Sequence, residues 1–158
     1  MLDVLAKLSE EERQALYDAV PLVAVLVAGA DGEIDEEETK WAKKIVHTRG
    51  YAEHGYIREF YEVLDHDMSQ RMQHIIKQYP ADEEARRNAI SLELGKLNAI
   101  LPKLNPGFAA TYYESLVSFA HHVAKASGGF LGFMAIGAKE EKVVDLPMLV
   151  PHRHQDEM

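Results

Sequence analysis

PLVAVLVAGA, Pro21 to Ala30, carries no polar or charged side chain over ten consecutive residues. Wound as a helix, side chains at 100° steps would put apolar groups on every side, so such a helix is stable only if others wrap it completely. The stretch covers about half of the roughly 20 residues that span a bilayer, which makes it a core helix and not a membrane span. Pro21 suits its opening turn, where the missing amide hydrogen costs nothing.

The chain on either side is punctuated for helices. Upstream, Ser9 and Glu12 have capping-box spacing and start a first helix. Downstream, Gly32 sits where a left-handed terminating residue is wanted, and Asp35 with Glu38 repeats the box to launch a third helix through Trp41, Ile45 and Val46. Gly50 closes that helix. A fourth carries Ile57, Phe60, Tyr61 and Leu64, and a fifth carries Met72, Ile75 and Ile76 before Pro80. A sixth runs from Asp82 through Ile90, Leu94 and Leu101 to Pro102, with Glu83 and Glu84 also favouring its positive start. A seventh follows Asn105-Pro106 over residues 107–126 and buries Phe108, Tyr112, Leu116, Phe119 and Val123. A last short helix follows Lys139. Alternating strand-like runs are nearly absent, so the expected fold is all-α: one compact bundle of seven to eight helices over residues 1–150. Gly128 to Ala138, GGFLGFMAIGA, reads as a packed apolar loop, and PHRHQDEM at 151–158 reads as a flexible tail.

Composition narrows the function. The 158 residues include no cysteine, which removes disulfide scaffolds, thiolate metal sites and thiol catalysis. A formal net charge of −9 without a basic face argues against nucleic acid. The amphipathic, acidic start MLDVLAKLSEEE is unlike a secretory signal, and no apolar run is long enough for membrane insertion, so a cytoplasmic setting is expected.

Val27 to Asp35, VAGADGEID, aligns with Val123 to Leu131, VAKASGGFL, through one valine, two alanines and a glycine. Each copy precedes an acidic helix start, DEEE or KEEK, so the chain reads as two related helical halves. Only the first keeps its anions. Asp31, Glu33, Asp35 and Glu38 pack four carboxylates into one reversal, where hard divalent cations such as calcium, magnesium or manganese find several oxygen donors. The spacing is not that of an EF-hand. Capping explains Asp35 and Glu38 without any ion; it does not explain Asp31 and Glu33.

At these residues the sequence resembles the tellurite-resistance TerB-like family, whose repeated signature is a buried helix with an alanine-rich end, Asp-Gly, a hydrophobic residue, an acid and a nearby Glu. Here it reads AGADGEIDEEE, and the likeness continues in AKASGGF followed by KEEKVV, covering residues 10–146. The resemblance implies an all-helical fold of two pseudo-repeated halves and an acidic surface that binds a divalent metal. It also implies a non-enzymatic role in tellurite or general stress response, with protein partners that include membrane-associated stress-resistance components. Carried over residue by residue, the metal positions are Asp31, Asp35 and Glu38, with Glu33 a local addition. The second motif departs from the pattern, since Ser127 replaces its Asp, and a second symmetric ion site is not implied.

Asp65-His66-Asp67, with Glu62 one turn earlier, offers a rival: a metal-dependent hydrolase centred on His66 and Asp67 that recruits His47, His54 or Asp145. Helix capping by Asp67 or Ser69 accounts for the same residues. Glu-x-x-His does not occur, which removes di-iron bundles, and neither a nucleophile elbow nor a phosphate-cradling Gly-Lys-Thr is present. His121 and His122 point about 100° apart on one helix and do not share an ion. His152 and His154 belong to the tail. Trp41, Tyr112, Tyr113 and Phe119 fall at helical spacings and are expected to fill the core. A helical adapter without metal completes the set of readings.

Overall fold

A computed structural model of the protein describes residues 2–28, 36–128 and 143–154. Among the described residues every regular element is helical and none is a strand. A 3₁₀ turn, Asp3–Leu5, precedes α1 (Glu10–Ala28), α2 (Glu36–Ala52), α3 (Gly55–Gln78) and α4 (Glu83–Gly95). A single turn, α5 (Leu97–Ile100), and a second 3₁₀ turn, Leu101–Lys103, lead into α6 (Pro106–Gly128). The acidic reversal at 31–35, the Gly-rich segment from 129 to 138 and the helix expected after Lys139 lie outside the described residues, apart from Val143 and Val144, which form a short helical stretch. The two-halves reading depends on those segments.

Ser9 and Glu12 form the reciprocal cap that their spacing predicts: the Ser9 amide donates to Glu12 Oε1 at 2.9 Å, and the Glu12 amide donates to Ser9 Oγ at 3.1 Å. Asp82 accepts from the Ala85 amide and so starts α4, while Asn105 Oδ1 accepts from the Gly107 and Phe108 amides and starts α6. From Ala19 to Ala28 every residue of α1 is buried. Its neighbours are α2, α3, α4, α5 and α6, the full wrapping that an all-round apolar helix requires.

Among the described residues there are five helices longer than one turn against the expected seven to eight, and the boundary expected at Pro21 is not a break. Pro21 lies inside α1 instead of opening a helix. An internal proline costs roughly 3 kcal/mol, whereas burying each Val or Leu contributes roughly 1.5–3 kcal/mol. With Leu16, Val20, Leu22, Val23, Val25, Leu26 and Val27 all inside, packing wins and the helix continues through the proline. In the turn before it, the Leu16 carbonyl accepts the Tyr112 hydroxyl of α6 at 2.7 Å. The boundary expected between the fourth and fifth helices is present: the two helical halves of α3 meet at a kink at Asp67, whose φ of −130° and ψ of 17° are not helical. The expected sixth helix does break, at Gly95.

Gly50 does not end α2, which runs on to Ala52. A Cβ there would sit 3.4 Å from the Glu62 backbone, so this glycine allows α2 and α3 to approach closely. The chain turns at Gly55, whose φ of +64° favours a residue without a Cβ. Tyr112 and Phe119 are buried as expected and Tyr113 is half-buried, but Trp41 is exposed and under the Lys44 ammonium, because the inward stripe of α2 runs through Ala42 instead. Phe60 of α3 organises the aromatic core: Tyr17 stacks on it at 4.5 Å, and Tyr61 and Tyr112 meet it edge-on at 5.6 and 5.5 Å. His152 and His154 lie against α6, the His152 ring 6.4 Å from that of Tyr113 and His154 Nε2 3.5 Å from a Glu114 carboxylate oxygen.

The Tyr112 hydroxyl is buried between α6 and the proline-containing part of α1. Tyr112→Phe should therefore lower unfolding stability by about 1 kcal/mol, read as a lower urea midpoint at unchanged m-value.

Candidate functional site

The inner face of α2 is read directly from its buried residues, Glu38, Ala42, Val46 and Arg49, which recur at steps of four, four and three. Both ends of this stripe carry charge and its middle is apolar. Glu36 and Glu37, in the same first turn as Glu38, face solvent. Glu38 is 7% exposed and is the one carboxylate that the described residues bury. Of the four residues expected to hold a cation, it is the one described; Asp31, Glu33 and Asp35 lie outside the described residues. A carboxylate facing inward at a helix start suits an oxygen-donor set, because the amides and the dipole there favour anionic oxygen.

The Asp65-His66-Asp67 trio is split by the helix it sits on. Asp65 pairs with His47 Nδ1 of α2 at 2.8 Å. Asp67 turns toward α1, where Arg71 gathers three acceptors: Asp67 at 2.9 Å, Asp18 at 2.6 Å and Gln14 at 2.8 Å. The Arg71 guanidinium also lies 5.5 Å from the Tyr17 ring centre. His66 is exposed between the two pairs. Among the described residues no group of three or more His, Asp or Glu side chains converges as a metal set. Asp67 thus anchors the kink of α3 to α1 through a guanidinium. His54 and Asp145, the other residues a hydrolase would recruit, lie elsewhere: His54 lines a cavity of about 460 Å³ at the start of α3, and Asp145 pairs with His121 at 3.1 Å.

At the other end of the α2 stripe is a polar cluster that residue spacing alone does not reveal. Arg49 is 6% exposed and reaches across to α3 and α6. Its Nη1 donates to the Tyr61 hydroxyl at 2.9 Å, the Ser115 carbonyl at 2.8 Å and Ser115 Oγ at 3.0 Å. Its Nη2 donates to Ser118 Oγ and His122 Nδ1, each at 3.1 Å. The Tyr61 and Ser115 hydroxyls bond to each other at 2.6 Å, and burial pushes the Tyr61 phenol up despite the cation beside it. The guanidinium lies 5.2 Å from the Tyr61 ring centre and 5.6 Å from that of Phe119. Among the described residues, every acceptor that Arg49 meets is neutral. One sequence signal does lead here: Arg49 continues the 42–46 apolar step of α2, so a helical wheel places it inside.

Partial burial holds the His122 imidazole below its ordinary value, and the positive charges of Arg49, Lys125 and His121 push in the same direction. The folded protein thus prefers neutral His122, while the unfolded chain takes up its proton near the ordinary 6.5. The resulting stability is fully present above that value and is lost as pH falls from it to the folded pKa. Melting curves between about pH 7.5 and about pH 5 should show a smaller acid-side loss of Tm in His122→Gln than in the wild-type protein.

Comparison with protein-family models, with curated proteins and with solved structures finds no match for this chain.

Proposed function

We propose that the protein is a non-enzymatic, TerB-like helical module that binds a divalent cation at the acidic reversal between α1 and α2 and couples that binding to a protein partner. The observation that carries this reading is the burial of Glu38, the inward-facing carboxylate that closes the DGEIDEEE cluster. Asp31, Glu33, Asp35 and Glu38 would supply the oxygen donors, a set suited to calcium, magnesium or manganese. The link to tellurite or general stress response, and to membrane-associated components as partners, rests on the resemblance of AGADGEIDEEE and AKASGGF to the family signature. No described helix is long and apolar enough to cross a membrane, so contact with such components would run through protein surfaces.

Calorimetric titration of the full chain with calcium, magnesium, manganese and zinc tests the reading. Saturable binding is expected, weakened about tenfold or more by Asp31→Asn and unchanged by His66→Ala. The opposite pattern would transfer the site to the His66–Asp67 hydrolase, and an inert wild-type protein would leave a metal-free adapter.

A further inference from the structure

The cluster at the far end of the α2 stripe presents hydrogen-bond donors outward. Arginine only donates, so Ser118 Oγ and His122 Nδ1 must each spend an acceptor position on the Nη2 of Arg49. His122 is left with a donor alone, the Nε2–H that the neutral ring carries once Nδ1 accepts, and Ser118 keeps its hydroxyl proton beside one further lone pair. Both side chains are exposed, whereas the guanidinium behind them is buried. The hydrogen bonds engage both Nη groups of Arg49, but these neutral acceptors leave the unit charge in place, in surroundings where water screens it weakly. Lys125, on the exposed side of the next turn, adds positive potential at His122. Three carboxylates lie near the cluster: Glu53, four residues after Arg49, acts on the Tyr61 phenol on its inner side, while Asp145 and Glu114 are engaged by His121 and His154.

We propose that Arg49, Ser118 and His122 form a binding site for a small oxyanion, with Ser118 Oγ–H and His122 Nε2–H as direct donors and Arg49 as the charge that polarises both. Phosphate and carboxylate share the required chemistry: acceptor oxygens with negative charge, and no need for a donor on the ligand. A cation, or a ligand that must donate to the site, is disfavoured by the same arrangement. The site is separate in residues from the proposed cation site and stands whether or not that site binds metal.

The test is titration of the full chain at pH 8 with inorganic phosphate, and in parallel with acetate, against chloride at equal ionic strength, followed by the backbone amide resonances of residues 115–125. Saturable shifts confined to this part of α6 and the Arg49 region of α2 are expected. Tighter binding of phosphate would identify a phosphate-bearing ligand, and equal or tighter binding of acetate a carboxylate-bearing one. Ser118→Ala and His122→Ala alter exposed positions and should each weaken binding about tenfold. His122→Gln, which can still accept from Arg49 and donate outward, should restore it to within about threefold of wild type. Shifts that match chloride, or that persist undiminished in the Ser118→Ala/His122→Ala double variant, would overturn the proposal.

Discussion

The second half of α1 has no side that tolerates water, and the rest of the fold follows from covering it. Ten consecutive buried residues, Ala19 to Ala28, require neighbours on every flank, and the four other long helices together with α5 supply them. These neighbours need only one apolar stripe each, which is how α2, with Ala42 and Val46, and α3, with Phe60, Leu64 and Met68, are built. The same requirement explains why a proline is carried inside a helix: ending α1 at Pro21 would have broken the element that each of the other described α-helices contacts.

Two arginines cross between helices at the edge of this core, each held by several hydrogen bonds. Arg71 ties the kink of α3 to α1 through Asp67, Asp18 and Gln14, with both carboxylates partly in water, where ion pairs add modestly to stability. Arg49 is a different case. It is deeper, spans α2, α3 and α6, and is held by hydroxyls, a carbonyl and an imidazole. The first arrangement closes its charge locally. The second leaves its charge to act on whatever reaches Ser118 and His122, which separates a structural arginine from one suited to recognition.

Much of the local punctuation was legible in the residues. Ser9 with Glu12, Asp82 and Asn105 begin helices where their side-chain chemistry says they should, because a cap needs only amides two or three residues away. Stops are less legible. Pro21 looks like a boundary, yet α1 continues through it, whereas the boundary expected at Asp65–Asp67 is present as the kink at Asp67. Gly50 looked like a terminator and instead admits the backbone of α3. For Pro21 and Gly50 a local preference of a few kcal/mol at most is overridden by burial or close approach from elsewhere in the chain.

The candidate sites divide along the same line. That Asp31, Glu33, Asp35 and Glu38 fall close together in sequence, and that the described residues are all-helical around a buried apolar segment, needed no knowledge of distant contacts, because residue spacing and helical period carry both. That Glu38 faces inward while Glu36 and Glu37 do not, that Asp65 and Asp67 part toward different helices, and that Arg49 meets Tyr61, Ser115, Ser118 and His122, are matters of which surface packs against which. A helix has no inside until a neighbour defines one. Residues 12 to 73 positions apart in the chain had to come together before the Arg49 cluster had any chemistry at all.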